Sequence, residues 1–219
     1  VMNFSAFSVE NSMATTAAEP PSRAEGSGSF TVASYNIRSG RNGGLESALR
    51  AMKLMGVDCG VLLETKLTED VYTRWSSGYN VRSTRAPSKW QGGISLFWRA
   101  SETYEIEEVE LRGPNVLSFQ LVSGAARWYI IGCYIPPNDL TTLTHVEQAW
   151  QACPRGCLPI LLGDLNVNLA APRDERDETI AEQVDAMALS DLSSHFLQRS
   201  GRRSRGRWTW RTRRGRRWI

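Results

Sequence analysis

The chain has 219 residues, of which 41% are hydrophobic and 22% are charged, and this balance is typical of a single globular domain. It excludes a collagen-like, a fully disordered or a disulfide-framework protein. Apolar runs such as residues 61–63 and 159–162 are far shorter than the roughly 18 residues that span a bilayer. We therefore expect no membrane partner.

Residues 1–29 are predicted to be a disordered leader, because they are rich in Ser, Ala, Glu and Pro and lack a hydrophobic pattern. They also lack the basic start and the continuous apolar stretch of a secretory signal. We expect an intracellular protein, nuclear or cytoplasmic, that is not secreted.

The remaining residues, 30–219, read as one α/β domain. A strand at 30–37, a helix at 45–55 and a strand at 57–63 predict a βαβ unit. A short helix at 69–75 follows. The strand-like runs after it suit an antiparallel meander, and they lie at 93–98, 105–111, 116–122 and 128–135. The last predicted elements are a helix at 140–153, a strand at 158–163 and a helix at 176–189.

The net charge of +3 is the sum of an acidic body and a very basic end. Residues 199–219 contain ten arginines and no acidic residue, so the other 16 basic residues are outnumbered by 23 acidic ones. Such a segment can neutralise the phosphates of a nucleic acid, or it can be a solvated loop or a severed segment. The arginines assigned to nucleic-acid binding are Arg211, Arg213, Arg214, Arg216 and Arg217.

The four cysteines do not form a small-domain framework, so we expect reduced thiols and no disulfide-linked partner. Cys153 and Cys157, with His145 upstream, leave a zinc site as an alternative. The interleaved prolines and the lack of a second ligand pair weigh against it.

Polar side chains follow three apolar strands at the points where the strands end. They are Asn36, then Glu64 with Lys66, then Asp164 with Asn166. A layered α/β fold places a functional cleft at such strand ends, and oxygen and amide groups suit a hard divalent ion and a phosphate. Taken singly, each of these residues can instead cap a turn.

Four short motifs in order resemble those of the endonuclease/exonuclease/phosphatase superfamily. They are Tyr-Asn at 35–36, Leu-Glu-Thr-Lys at 63–66, Cys-Tyr-Ile-Pro-Pro-Asn at 133–138 and Gly-Asp-Leu-Asn at 163–166. Within that superfamily the sequence looks closest to the apurinic-type endonuclease domain of non-LTR retrotransposon polyproteins. The resemblance implies a four-layer α/β sandwich of two packed mixed sheets flanked by helices, and a metal-dependent phosphodiesterase acting on DNA.

The resemblance also implies a role for each matched residue. Glu64 would ligate Mg²⁺, for which Mn²⁺ can substitute, and Asn36 would be a ligand or would orient one. Tyr134 would hold the scissile phosphate, Asp164 would align or deprotonate the attacking water, and Asn166 would donate to a phosphate oxygen. Alternatives are a superfamily phosphatase acting on inositol lipids or nucleotides, and a catalytically silent remnant that binds nucleic acid.

The sequence departs from the family pattern in two places. Arg38 stands where some relatives carry a second acidic ligand, which favours a one-metal site on Glu64. In the family, a Ser-Asp-His motif follows the Thr-Trp motif, here Thr209-Trp210, but this sequence ends at Ile219 without it. His145 and His195 are expected to be surface or partly packed residues. We therefore expect a domain without its last strands, and a chain that is inactive or nearly so by itself.

Overall fold

A computed structural model describes residues 4–9, 30–75, 77–101, 103–169 and 171–189. Within these ranges the chain forms two β-sheets and three helices. The described helices include none that is both long enough and apolar enough to cross a bilayer.

The first sheet, sheet one, has six strands in the order β1-β2-β3-β6-β5-β4. β2 and β3 are parallel, and the other neighbouring pairs are antiparallel. The strands are β1 (Phe4–Val9), β2 (Phe30–Asn36), β3 (Cys59–Leu63), β4 (Tyr72–Arg74), β5 (Tyr79–Ser83) and β6 (Ile94–Arg99).

The second sheet, sheet two, has four strands in the order β10-β9-β8-β7. β9 and β10 are parallel, so each sheet contains one parallel pair of strands. The strands are β7 (Glu105–Leu111), β8 (Val116–Ser123), β9 (Ala126–Tyr134) and β10 (Leu158–Asp164).

The main hydrophobic core lies between the two sheets. Sheet one contributes residues such as Val61 and Ile94, and sheet two contributes residues such as Leu117 and Ile130. The sheets approach closely at Gly132, where an added Cβ would lie 2.6 Å from Val61 Cγ1 and 3.2 Å from Ile94 Cδ1. A larger residue at 132 would push the two sheets apart, because a packed core has no spare volume there.

Helices cover the outer faces of both sheets. The helix α1 (Gly44–Leu54) buries Leu45, Leu49 and Met52 against the outer face of sheet one. These residues recur at the three- and four-residue spacing of an amphipathic helix. The helices α2 (Thr141–Gln151) and α3 (Glu175–Ala186) pack outside sheet two. The order helix, sheet, sheet, helices is the four-layer α/β sandwich that the resemblance implied.

Each parallel strand pair has a helix in its connection. α1 joins β2 to β3, which confirms the predicted βαβ unit, and α2 joins β9 to β10 in the same way. Parallel neighbours need such a crossover, and it brings the carboxyl ends of both strands to the same edge of the sheet. The carboxyl ends of β2 and β3 therefore lie at one edge, and so do those of β9 and β10.

Three sequence predictions are wrong in part. Residues 4–9, assigned to a disordered leader, form β1, which pairs with β2 from Phe4↔Tyr35 to Val9↔Phe30 and fills the open edge of that strand. The helix predicted at 69–75 is replaced by β4, because pairing with β5 outweighs a weak local preference. The predicted antiparallel meander is confirmed for β7, β8 and β9, but its first predicted strand, β6, belongs to sheet one.

Candidate active site

Four of the five residues assigned to catalysis or metal binding lie at the carboxyl ends of the two parallel strand pairs. Asn36 is the last residue of β2, and Glu64 follows the last residue of β3. Tyr134 and Asp164 are the last residues of β9 and β10, and they are partners in the strand register. Because the sheets are stacked, these residues meet where the two edges face each other.

Hydrogen bonds join these side chains across the two sheets. Asn36 Nδ2 donates to Glu64 Oε1 at 2.9 Å and lies 3.5 Å from Asp164 Oδ2. The Tyr134 hydroxyl donates to Glu64 Oε1 at 2.8 Å. Glu64 and Asn36 come from sheet one, whereas Tyr134 and Asp164 come from sheet two. The sequence therefore correctly predicted which strand ends come together.

Lys66 adds a positive charge to this cluster. Its Nζ lies 3.3 Å from Glu64 Oε2, so the two carboxylate oxygens of Glu64 face different partners. The sequence pattern singled out Lys66 only as a polar neighbour of Glu64. The contact depends on the backbone turn after β3, in which both Glu64 and Lys66 have positive φ, and residue spacing does not reveal such a turn.

The surroundings of Glu64 favour its ionised form. Partial burial is the largest single influence, and it would raise the pKa of this carboxyl. Hydrogen bonds from Asn36 and Tyr134, together with the charge of Lys66, outweigh burial and lower the pKa below its ordinary value. Glu64 is therefore a carboxylate at neutral pH, held by donors at both oxygens.

The surroundings of Tyr134 favour its neutral form. Burial raises the pKa of the phenol most, and the negative charges of Glu64 and Asp164 raise it further, whereas a hydrogen bond from Asn166 acts in the opposite direction. The pKa of Tyr134 consequently lies well above its ordinary value of 10.0. The hydroxyl thus remains a hydrogen-bond donor throughout the physiological pH range.

Asn166 lies in a tight turn after β10. Its backbone N–H donates to Asp164 Oδ1 at 3.0 Å, and its side-chain Nδ2 donates to the Ile135 carbonyl at 2.9 Å. The residue has a φ of 51°, a left-handed conformation that non-glycine residues rarely adopt. Arg38, Glu64 and Lys66, which follow other strand ends of the site, also have positive φ. Such conformations cluster at functional sites, where the surrounding structure holds them in place.

A buried ion pair at the start of α3 holds the turn that carries Asn166. The Arg176 guanidinium donates to the carbonyls of Pro136, Leu165 and Asn166 at 3.1–3.3 Å. It also donates to the buried Asp177 carboxylate at 3.0 Å. Arg176 thereby ties the loop after β9 to the loop after β10. Sequence reasoning missed this residue, because arginine side chains are mostly exposed in proteins.

The loop before β6 supports Glu64 from the other side. The carbonyls of Gly92 and Gly93 accept the backbone N–H groups of Lys66 and Thr65 at 2.9 and 3.1 Å. Gly93 has a φ of 87°, and a Cβ there would lie 2.6 Å from Thr65 Oγ1. Only glycine fits this turn without moving the segment that carries Glu64.

The oxygen atoms that this cluster offers as metal ligands suit one hard divalent cation. Carboxylate and amide oxygens are the groups that such ions prefer, and Mg²⁺ commonly uses only one or two carboxylates and keeps several water ligands. Within the described ranges there is no group of three or more His, Cys, Asp or Glu residues that could enclose a metal. The Asn36 Oδ1 accepts the backbone N–H of Arg38 at 3.0 Å, while its Nδ2 faces Glu64.

The remaining residues that the sequence analysis considered for a function lie away from this cluster or outside the described ranges. His145 lies half-buried in α2, and Cys153 and Cys157 are free thiols. His195, the Thr209-Trp210 motif and the five arginines assigned to nucleic-acid binding lie outside the described residues.

Comparison with known proteins finds similarity in structure but not in sequence. No family model and no curated protein matches the chain. The endonuclease domain of TRAS1, a telomere-specific non-LTR retrotransposon, matches with a TM-score of 0.53 and 12% identity, over 71% of each chain.

Two structures of D. rerio TDP2 also match. One, humanized by 14 mutations, has a TM-score of 0.47 and 14% identity over 73% of this chain and 78% of that chain. The other, complexed with a single-strand DNA product, has a TM-score of 0.49 and 15% identity over 81% of this chain and 72% of that chain. With its two stacked sheets and its likeness to the TRAS1 domain, the chain has the endonuclease/exonuclease/phosphatase fold.

Proposed function

We propose that this chain is a Mg²⁺-dependent phosphodiesterase domain that nicks DNA, of the kind found in non-LTR retroelements. The observation that carries the proposal is the network of Asn36, Glu64, Tyr134 and Asp164, in which residues from both sheets share hydrogen bonds at one edge. The likeness to a retrotransposon endonuclease domain and the arginine-rich segment 199–219 agree with a DNA substrate.

Glu64 would hold the metal ion, because it is the ionised carboxylate at the centre of the network. Asn36 donates to Glu64 through its amide nitrogen, so of the two roles considered for it, orienting the ligand is favoured. Mg²⁺, when bound, supplies positive charge that polarises a phosphoryl oxygen. Lys66, whose Nζ lies 3.3 Å from Glu64 Oε2, would add a second positive charge beside this carboxylate.

The remaining residues would act on the phosphate and on the attacking water. The neutral phenol of Tyr134 would turn its single O–H from Glu64 to a phosphate oxygen when DNA is bound, without adding negative charge. Asp164 would orient the water and accept its proton as the new P–O bond forms and the bond to the leaving oxygen breaks. Asn166, held in place by Arg176, would position an amide donor beside the growing negative charge.

Nicking of supercoiled plasmid tests the proposal. The chain is incubated with plasmid in Mg²⁺ and in EDTA. We expect slow conversion to open circles that requires Mg²⁺, because residues 1–219 do not include the Ser-Asp-His motif and the lack of one transition-state donor typically lowers the rate by at least about 10²-fold.

Other results of this assay would indicate other functions. Phosphate release from inositol lipid or nucleotide substrates without nicking would indicate a phosphatase. Plasmid binding without any hydrolysis would indicate a silent nucleic-acid-binding protein. Conversion that is equally fast in Mg²⁺ and in EDTA would contradict a metal-dependent mechanism.

A further inference from the structure

Trp90 is an aromatic side chain that the fold leaves in solvent. Its side chain is 74% exposed, although tryptophan is usually mostly buried. It lies at the tip of a turn closed by the bridge Ser88↔Gln91, and the ammonium of the neighbouring Lys89 lies 4.9 Å from the ring centroid. A cation over one face of an indole leaves the opposite face available for a second flat group.

The loop that carries Trp90 is tied to the candidate active site. The carbonyl of Gly92, two residues after Trp90, accepts the backbone N–H of Lys66, and Ala86 N–H donates to the Leu67 carbonyl at 2.7 Å. The loop thus runs alongside the segment that follows Glu64. These backbone bonds hold the exposed ring beside the site, on a turn fixed at both ends.

Positively charged side chains lie both beside the candidate active site and on the loop that carries Trp90. Arg41 and Lys66 line a shallow open groove together with residues 67–69 and 71. Arg85 and Lys89 are exposed on the loop that Ala86 ties to Leu67 of this lining. Glu69 is the acidic residue in this lining. A surface with several cations and an exposed aromatic ring is the combination that binds a nucleic-acid strand, with the cations on the phosphates and the ring on a base.

We propose that Trp90, with Lys89, forms a stacking subsite for an unpaired nucleobase of the DNA strand whose backbone follows the groove of Arg41 and Lys66. The inference rests on the proposed function and adds a substrate preference to it. A base inside a duplex already stacks on both neighbours, so the ring gains most from a base at a bulge, a junction or a frayed end. The site would therefore prefer DNA with an unpaired base over fully paired DNA.

Binding without cleavage tests the subsite. Fluorescence anisotropy measures the Kd of each protein for a labelled duplex with one unpaired base and for the fully paired duplex, in EDTA. Trp90→Ala is expected to raise the Kd for the duplex with an unpaired base by about 5- to 100-fold, the range of one base–aromatic stack. The Kd for the fully paired duplex should change by less than about 3-fold. Trp90→Phe should restore most of the affinity, because the ring is kept.

Two control variants separate stacking from general effects. Leu158→Ala removes an apolar side chain that is 61% exposed at the start of β10, at the opposite end of that strand from Asp164, and should change neither Kd. Lys89→Ala should lower the slope of log K against log salt by about one, whereas Trp90→Ala should leave that slope unchanged. Thermal melting should be unaltered in all variants, because the replaced side chains lie at the surface.

The results distinguish this inference from the proposed function. If the wild-type protein nicks plasmid with Mg²⁺ and Trp90→Ala binds the unpaired-base duplex equally well, the subsite is wrong and the function stands. If binding depends on Trp90 but neither the wild-type protein nor any variant hydrolyses DNA, the subsite stands and the nicking function is wrong. If the wild-type protein binds neither duplex, both are wrong.

Discussion

Tyr134 and Asn36 donate to the same atom, Glu64 Oε1, at 2.8 and 2.9 Å. Tyr134 comes from sheet two, whereas Asn36 and Glu64 come from sheet one. One carboxylate oxygen therefore links the two halves of the sandwich at the edge where the candidate chemistry lies. Any change in how the sheets stack would move Tyr134 relative to Glu64, which makes the site sensitive to inter-sheet packing.

Tyr134→Phe should lower the rate of DNA nicking by about 10²- to 10³-fold, the typical effect of removing one transition-state donor. The variant loses a hydroxyl and keeps the ring, so the Kd for DNA should change by less than about 3-fold. Single-turnover nicking at saturating protein measures the first effect, and anisotropy in EDTA measures the second. A fall in affinity that accounts for the whole loss of rate would contradict the donor role.

The raised pKa of Tyr134 gives a second expectation for the same residue. A phenol with its ordinary pKa of 10.0 would begin to lose its proton above about pH 9, and a rate that needs the O–H form would then fall. Because burial and the charges of Glu64 and Asp164 raise this pKa, the nicking rate should not decline between pH 8 and pH 10. A decline that Tyr134→Phe removes would show that the phenol ionises in this range.

The pair Arg176–Asp177 predicts a stability that depends on pH. Burial, the largest influence, would raise the pKa of Asp177, but hydrogen bonds and charges from Arg173 and Arg176 lower it below its ordinary value of 3.8. A lowered pKa stabilises the fold above the unfolded-state value, and this stabilisation disappears as the pH falls through the folded-state value.

Asp177→Asn should therefore reduce the free energy of unfolding at pH 7 by about 3 kcal/mol, at the lower end of the range for breaking a buried pair because Arg173 is half-exposed. The deficit should shrink below pH 4, where the wild-type carboxylate also becomes protonated. Urea unfolding at several pH values measures it, with Asp185→Asn on the exposed side of α3 as the control. A deficit that stays constant down to pH 2.5 would contradict the ion-pair explanation.

The strand ends of the site were predictable from sequence, whereas its supporting contacts were not. Apolar runs followed by Asn36, Glu64 and Asp164 mark the carboxyl ends of strands, and parallel pairing then brings those ends together. The Arg176 hydrogen bonds depend on carbonyl groups in two loops that are distant in sequence, and carbonyl positions leave no mark on residue type.

The sequence patterns of two strands in sheet one, β4 and β5, were also too weak to predict them as strands. β4 has three exposed residues, and β5 alternates buried and half-buried residues over only five positions. Both are too short for their periodicity to distinguish them from a turn or a short helix. Their strand form follows from pairing with each other and with β6, which local propensity does not contain.

The arginines of 199–219 give a prediction about DNA binding. Replacing Arg211, Arg213, Arg214, Arg216 and Arg217 with Ser should weaken duplex binding and flatten the slope of log K against log salt, by about 0.9 for each phosphate that the variant no longer neutralises. Titrations at several salt concentrations measure the slope, with Arg50→Ser on α1 as the control. An unchanged slope in the five-residue variant would show that these arginines do not bind phosphates.

The most direct test of the proposed chemistry is Glu64→Gln, assayed by Mg²⁺-dependent nicking of supercoiled plasmid. Gln keeps the size and a donor-acceptor side chain but removes the negative charge that would hold the cation. We expect Mg²⁺-dependent nicking to fall by at least about 10²-fold, and Glu105→Gln on the exposed strand β7 to nick like the wild type. Nicking by Glu64→Gln at the wild-type rate, with unchanged dependence on Mg²⁺, would contradict the assignment of Glu64 as the metal ligand.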